Sequence, residues 1–484
     1  MSLVAQQHMD RLSSVDAGFL AQEGPTAHMH IGAIILLEGP PPAADDFLAH
    51  VRSRLHLVPR YRQKLAFPPF ETGLPLWVDD PTFNLEYHVR HSALPSPGDE
   101  TTLLRLAARI FSQRLDRSKP LWELWLIEGL ADGGFALISK SHHALVDGVS
   151  GVDLGTVLFD LAPEGTELPP PEPWVPKPEP TRAQLAARGV HGAVRRAAEL
   201  AAGAATHATR PQELLGRARE VAEGLGEVAL TALNAPPATP INDPPGPHRR
   251  IAVVRAELDE FKQIKAALGG TVNDVVLAAV AGGLAHFLRS RDVETEGLEL
   301  RACVPVSVRT AEQQGALGNA ITIMMAPLPV GVADPLARLQ RVREVMDGLK
   351  ESKQALGAEA IANLQDFAPP TVFAQASRLN FSSRMYNLLV TNVPGPQFPL
   401  YVLGRRMQSI FPVPFLAGSR SLAIAIMSYD GGMNFGLLGD YDSMHDLDVV
   451  AEGIEGALGE LLLISRRAKR VESRKARRRS APAR

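Results

Sequence analysis

The sequence predicts an α/β protein built in two halves, and three observations point there. Apolar strand-like runs alternate with helical patterns along most of the chain. With 484 residues and 45% hydrophobic content, it can bury a large core and divide into two domains. A proline- and alanine-rich stretch from Pro163 to Pro247 separates the two patterned regions. The expected division is residues 1–165, an interdomain crossover over 166–248, a second domain over 249–465 and a basic tail over 466–484.

Bulk composition narrows the function classes. A net charge of −3 argues against a nucleic-acid binder. That total hides an asymmetry. Arg466 to Arg484 holds ten basic residues against Glu472, a net +9, which leaves −12 on the rest of the chain. The single cysteine, Cys303, excludes a disulfide framework and a cysteine-rich metal site, and it fits a reducing cytoplasm. Met1 to Arg11 lacks the basic start and apolar centre of a signal peptide. The longest nearly apolar runs, such as Ala320 to Ala333, contain prolines and are too short for a bilayer span, so any membrane contact is expected to be peripheral. No Walker A motif, Rossmann glycine fingerprint or internal repeat occurs.

In the first half, His30 to Glu38 is a strand whose nearly unbroken apolar character implies burial on both faces. Asp45 to Leu57 and Leu103 to Arg114 carry helical spacing. Trp122 to Ile127 and Phe135 to Ser141, with a turn at Ala131-Asp132-Gly133-Gly134, read as a hairpin. Its second strand alternates as a half-buried strand does and delivers His142-His143 into the turn at Asp147-Gly148, where glycine permits the required dihedrals. A helical pattern follows from Val149 to Leu161. Adjacent histidines on extended backbone face opposite ways, so one can enter a cleft while its neighbour packs. A strand end is a rigid mount for an imidazole, which when neutral can take a hydroxyl proton near pH 7. Polar surface is the plainer alternative for such a pair. No metal site is expected, because adjacent strand residues cannot easily share one ion.

The crossover opens with a stiff proline-rich segment, followed by helical stretches over about Thr181 to Thr206 and Pro211 to Leu233. In the second half, strands are expected at Ile251 to Leu258, Arg301 to Arg309, Asn319 to Leu328 and from Leu388 into the Pro394-Gly395-Pro396 turn. A closing pair, Leu422 to Met427 and Asn434 to Leu438, spans Asp430-Gly431-Gly432. Thr271 is placed to cap a largely apolar helix reaching about Ser290, with Asp274 as the carboxylate of a capping box. Capping gives Asn273 no role. Further helices run from Pro335 to Ser352 and from Leu447 to Ser465.

His142-His143-Ala144-Leu145-Val146-Asp147-Gly148 matches the HHxxxDG signature of the CoA-dependent acyltransferase superfamily, which includes chloramphenicol acetyltransferase and peptide-synthetase condensation domains. Pro120-Leu121-Trp122, TVNDVVLA from Thr271, TNVPGP from Thr391 and the opening SSVDAGFLAQEGPTAHMHIGAIILLEG narrow the match. Over roughly Leu12 to Ile464 the chain resembles bacterial wax ester synthase/diacylglycerol acyltransferases.

The resemblance implies two chloramphenicol-acetyltransferase-like α/β domains with a channel between them. It implies His143 as general base beside His142, with Asn273 donating to the developing oxyanion. Asp147 and Gly148 shape the turn, Arg62 pairs with Asp147, Asp274 has a structural place at the site, and Pro120, Leu121 and Trp122 lie along the channel. For Trp122, core packing is the expected direct job; for Arg62, an exposed surface arginine is the alternative. Acyl-CoA is implied as co-substrate with no further cofactor, and diacylglycerol or a long-chain alcohol as acceptor. The protein is expected in the cytoplasm, in peripheral contact with a membrane or lipid-droplet surface. A polyketide or glycolipid acceptor, or a non-catalytic lipid-droplet coat, are the alternatives. A coat would need neither His143 nor Asn273.

Overall fold

The computed structural model describes residues 9–69, 73–145, 154–166, 168–169, 172–191, 194, 198, 234–307, 321–351 and 385–479. Val146, Asp147 and Gly148 of the histidine motif lie outside the described residues, as does most of the crossover.

In chain order the strands are Asp10–Arg11 (β1), His30–Leu37 (β2), Gln63–Ala66 (β3), Leu76–Asp79 (β4), Val89–Ala93 (β5), Trp122–Glu128 (β6), Phe135–His142 (β7), Arg249–Glu257 (β8), Leu300–Ser307 (β9), Ile321–Leu328 (β10), Leu388–Pro394 (β11), Tyr401–Val402 (β12), Arg405–Val413 (β13), Leu422–Tyr429 (β14) and Gly432–Asp440 (β15). They form two six-stranded mixed sheets, ordered β12-β13-β2-β7-β6-β5 and β10-β9-β11-β14-β15-β8, with β1, β4 and β3 in a small third sheet. The two α/β layers expected from the sequence are present. One segment crosses the division drawn from composition: β12 and β13, from the second half, pair into the first sheet, with Phe411 opposite Ile34.

β13 also touches the second sheet. A Cβ at Gly436 of β15 would sit 1.8 Å from the carbonyl oxygen of Pro412, so the two backbones approach as only glycine allows. Around this crossing, Ile34, Ile138 and Phe411 of the first sheet share one apolar cluster with Leu389, Ala423 and Leu438 of the second. The halves therefore meet through a common core. The hairpin strand β7, expected to be half-buried, is buried along most of its length because this core covers one face and a second apolar cluster covers the other.

The largest core packs the second sheet under helices Leu258–Leu268, Val272–Ser290 and Leu447–Arg479. Val272–Ser290 forms as expected: Thr271 and Asp274 make both bonds of a capping box. It is the one helix among the described residues long and apolar enough to cross a membrane, and it is mostly buried inside the protein. The proline-rich segment is held to the first half by Lys177 N–H donating to Asp79 and by Trp174 against Phe83, and the helix after it by Leu185 packing on Ala66, Leu76 and Val78. The C-terminal helix does not stop at Ser465. It continues through the basic residues to Arg479.

Candidate active site

The hairpin β6–β7 carries the histidines. The His142 amide donates to the Leu121 carbonyl at 3.0 Å, and the His143 amide donates to Met29 at 2.9 Å. β7 ends there and a tight turn, His143–Leu145, begins. Ala144 N–H donates to His142 Nδ1 at 3.0 Å, so the protein itself fastens the turn. As the alternation requires, the two rings diverge. His142 is buried against the Glu23 carboxylate, 3.7 Å from its Nε2. The ring of His143 stacks on Phe19 at 3.8 Å and meets the edge of Phe415 at 5.5 Å.

Phe19 comes from the helix Ser14–Gln22, started by Ser13 accepting from Asp16 N–H. Phe415 comes from the loop after β13, the strand contributed by the second half. His143 is thus enclosed by both halves of the chain. His143 is itself half-buried.

Burial sets the charge state. It pushes the pKa of His143 down to about 4. Burial, then Arg117 and His143, push His142 to about 3. Both rings are neutral at physiological pH, His143 further below it than the ordinary imidazole value suggests. Nδ1 of His143 is shut away from solvent with no well-aligned partner among the described residues; its own backbone carbonyl leans on it and works weakly against the burial. A proton there leaves the Nε2 lone pair available. Cys303 is buried in β9 and burial pushes its thiol up to about 12, which removes it as a nucleophile.

Asn273 lies in the first turn of helix Val272–Ser290, half-buried, its Oδ1 accepting from Nδ2 of Asn392 in β11. Two motifs distant in sequence, TVNDVVLA and TNVPGP, meet through that bond. Asp274 has a defined local job as the capping carboxylate. No hydrogen bond among the described residues joins Asn273 to His143.

Leu121 and Trp122 are packed in the core, each 1% exposed. The Trp122 indole donates to Tyr61 O at 2.8 Å and stacks on His88. This is the packing role expected for Trp122, and Pro120 is buried too. Their service to the site is indirect, through the Leu121 carbonyl that holds His142. Arg62 lies over the Trp174 ring at 4.6 Å, and its expected partner Asp147 lies outside the described residues.

Residues 12–276 match the model of the wax ester synthase/diacylglycerol acyltransferase catalytic domain, and residues 317–462 match the model of the C-terminal domain of the same family. The chain belongs to this family. Its relatives include a probable diacylglycerol O-acyltransferase of Mycobacterium tuberculosis, tgs1, 35% identical over 95% of this chain and 97% of that one. A second from the same organism, tgs2, is 33% identical over 94% and 99%. Among solved structures, the wax ester synthase/diacylglycerol acyltransferase of Marinobacter aquaeolei VT8 superposes with a TM-score of 0.68 at 27% identity, covering 94% of this chain and all of that one. The first condensation domain of the calcium-dependent antibiotic synthetase shares the fold, with a TM-score of 0.56 at 15% identity over 95% of this chain and 97% of that domain. Family membership makes this protein an O-acyltransferase of the storage-lipid type.

Sequence reasoning passed over Glu23, Phe19, Phe415 and Asn392 as site residues. Phe19 and Glu23 stood inside the family-like opening, but no spacing rule connects them to a histidine more than a hundred positions later.

Proposed function

We propose that this acyltransferase moves a long fatty acyl group from acyl-CoA to the hydroxyl of diacylglycerol or a long-chain alcohol, with His143 as general base. The supporting observation is the His143 imidazole held between Phe19 and Phe415, one from each half of the chain. Nε2 takes the hydroxyl proton as the alkoxide oxygen bonds to the thioester carbonyl carbon. The carbonyl electrons move onto oxygen, where Asn273 Nδ2 can donate, since its Oδ1 is engaged by Asn392. Collapse of the tetrahedral intermediate breaks the C–S bond, and the imidazolium returns its proton to the CoA thiolate. No acyl-enzyme and no further cofactor enter this scheme.

The aromatic rings of Phe19 and Phe415 at the site suit apolar chains, and each methylene buried on binding contributes about 0.8 kcal/mol. The relatives named as diacylglycerol O-acyltransferases favour a diacylglycerol acceptor. The test is thiol release from palmitoyl-CoA with 1,2-diacylglycerol, hexadecanol or no acceptor, for wild type beside His143→Ala. His143→Ala is expected to lose about 10²–10⁴-fold in acceptor-dependent rate. Unchanged ester formation would sink the base assignment.

The proposed location is cytoplasmic, with peripheral attachment to a lipid surface. The basic C-terminal sequence supports this: the helix Leu447–Arg479 continues through it. Each such residue near an anionic surface contributes about 1 kcal/mol. A chain ending at Ser465 is expected to pellet less with vesicles containing phosphatidylglycerol than the full chain does. Equal pelleting rejects the attachment.

A further inference from the structure

Beside the histidine pair lies a charged cluster that the acyl-transfer scheme leaves unused. The Glu23 side chain is 1% exposed. Its Oε1 accepts from Arg114 at 3.0 Å and its Oε2 from Arg117 Nε at 2.6 Å. The same Oε2 lies 3.7 Å from His142 Nε2, a buried nitrogen with no hydrogen-bond partner among the described residues. Glu23 also closes the helix that carries Phe19: its amide donates to the Phe19 carbonyl at 3.1 Å, and Arg117 donates to Leu20 O at 2.9 Å. One residue thus faces His142 with its side chain and holds the Phe19 backbone with its amide, while the Phe19 ring lies on His143.

We propose that Glu23 is a positioning residue for acyl transfer, fixing the tautomer of His142 and, through it and Phe19, the orientation of His143. His142 Nδ1 accepts from Ala144 N–H, so in the neutral ring the proton must be on Nε2. A carboxylate facing Nε2 favours that placement. Were the proton on Nδ1, it would oppose the Ala144 amide, and the turn carrying His143 would lose its fastening. Arg114 and Arg117 hold the carboxylate in place and balance its buried charge. Because Glu23 touches neither reacting atom, its influence must appear in the rate of the step and not in substrate affinity.

This inference rests on His143 being the base, and its test separates the two. In Glu23→Gln, which keeps the size but removes the charge, kcat is expected to fall about tenfold, with KM for palmitoyl-CoA and for diacylglycerol unchanged within about twofold. Glu23→Asp, which restores the charge, is expected to recover part of the loss. Histidine-selective nitrogen-15 NMR of the wild-type chain should show His142 protonated at Nε2, its signal identified by its loss in His142→Asn. The proposal is overturned if His142 carries its proton on Nδ1, if kcat of Glu23→Gln stays within about twofold of wild type, or if the whole loss lies in KM. Should Glu23→Gln not fold, Glu23→Ser carries the same kinetic test, and a kcat within about twofold of wild type or a loss confined to KM overturns the proposal there. A His143→Ala chain that remained active would defeat the base assignment, a failure distinguishable from a wrong tautomer.

Discussion

Asn392 donates from Nδ2 to Oδ1 of Asn273 at 3.3 Å, tying the end of β11 to the first turn of the helix that its neighbour Thr271 caps. The bond decides which end of the Asn273 amide is free. With Oδ1 engaged, Nδ2 is left to donate, the polarity an oxyanion requires.

Asn392→Asp is therefore expected to be more harmful than its size suggests. An acceptor then faces Asn273, whose amide turns to donate to it and presents oxygen where a donor is needed. The expected loss is about 10- to 100-fold in kcat, approaching the 10²–10³ of a deleted oxyanion donor, as in Asn273→Ala. Steady-state kinetics with saturating palmitoyl-CoA provide the check. A rate within twofold of wild type would remove Asn273 from the oxyanion role.

Much of this architecture was legible in the sequence, for definite physical reasons. Strands β2, β6, β7, β14 and β15 follow from apolar runs bounded by glycine turns, and the helix at Val272 from a threonine cap that needs only four residues to recognise. β13 was not legible. Arg405-Arg406-Met407-Gln408-Ser409 mixes polar and apolar residues, and the strand draws its stability from β2, far away in sequence. The same distance hid the site walls. His143 announces itself by its motif, whereas Phe19, Phe415 and Glu23 acquire meaning only where the two halves close. The basic tail looked like a terminator of the last helix because it lacks apolar spacing, yet arginine and lysine are good helix formers and the helix continues through them.

The pH response follows from burial. With His143 held at about 4, the base form persists well below the ordinary imidazole value of about 6.5. The kcat/KM profile should stay flat from neutrality to about pH 5 and fall by half near pH 4. Stability changes sooner. His142 at about 3, and His143 and His88 at about 4, are depressed in the folded state, so below pH 6.5 the unfolded chain takes up protons that the native chain refuses. Stability is complete above 6.5 and is lost as pH falls toward 4, each histidine adding a slope of at most about 1.4 kcal/mol per pH unit. Thermal melts from pH 8 to 4 beside short initial-rate assays separate the two effects. An acid limb centred near 6.5 would contradict the buried base.

Cys303 tests the direct-transfer scheme. Buried in β9 with its thiol pushed up to about 12, it should resist iodoacetamide at pH 8 in the native protein, as read by intact mass. Cys303→Ala should keep kcat within about twofold while costing about 1 kcal/mol of stability for the lost sulfur contacts. A dead but folded Cys303→Ala would point to an acyl-enzyme.

Gly283 tests how the core holds the site. It faces Gly453 where helices Val272–Ser290 and Leu447–Arg479 touch: a Cβ on Gly453 would lie 2.9 Å from the Gly283 Cα. A Cβ on Gly283 would meet Ile454 Cγ1 at 2.5 Å and the Ile454 amide nitrogen at 2.8 Å. Helix propensity favours Gly283→Ala by about 1 kcal/mol, but the clash is partly with backbone, so the helices must part. Overpacking of this kind costs about 1–3 kcal/mol or more, so a net loss and a lower melting temperature are expected. The control is Gly456→Ala on the same C-terminal helix, where an added Cβ meets nothing within 4 Å and the propensity gain should raise stability. Because Asn273 sits at the N-terminus of the displaced helix, Gly283→Ala should also reduce kcat, while Gly456→Ala leaves it unchanged. If the two substitutions move the melting temperature the same way, the close helix contact is not what the structure shows it to be.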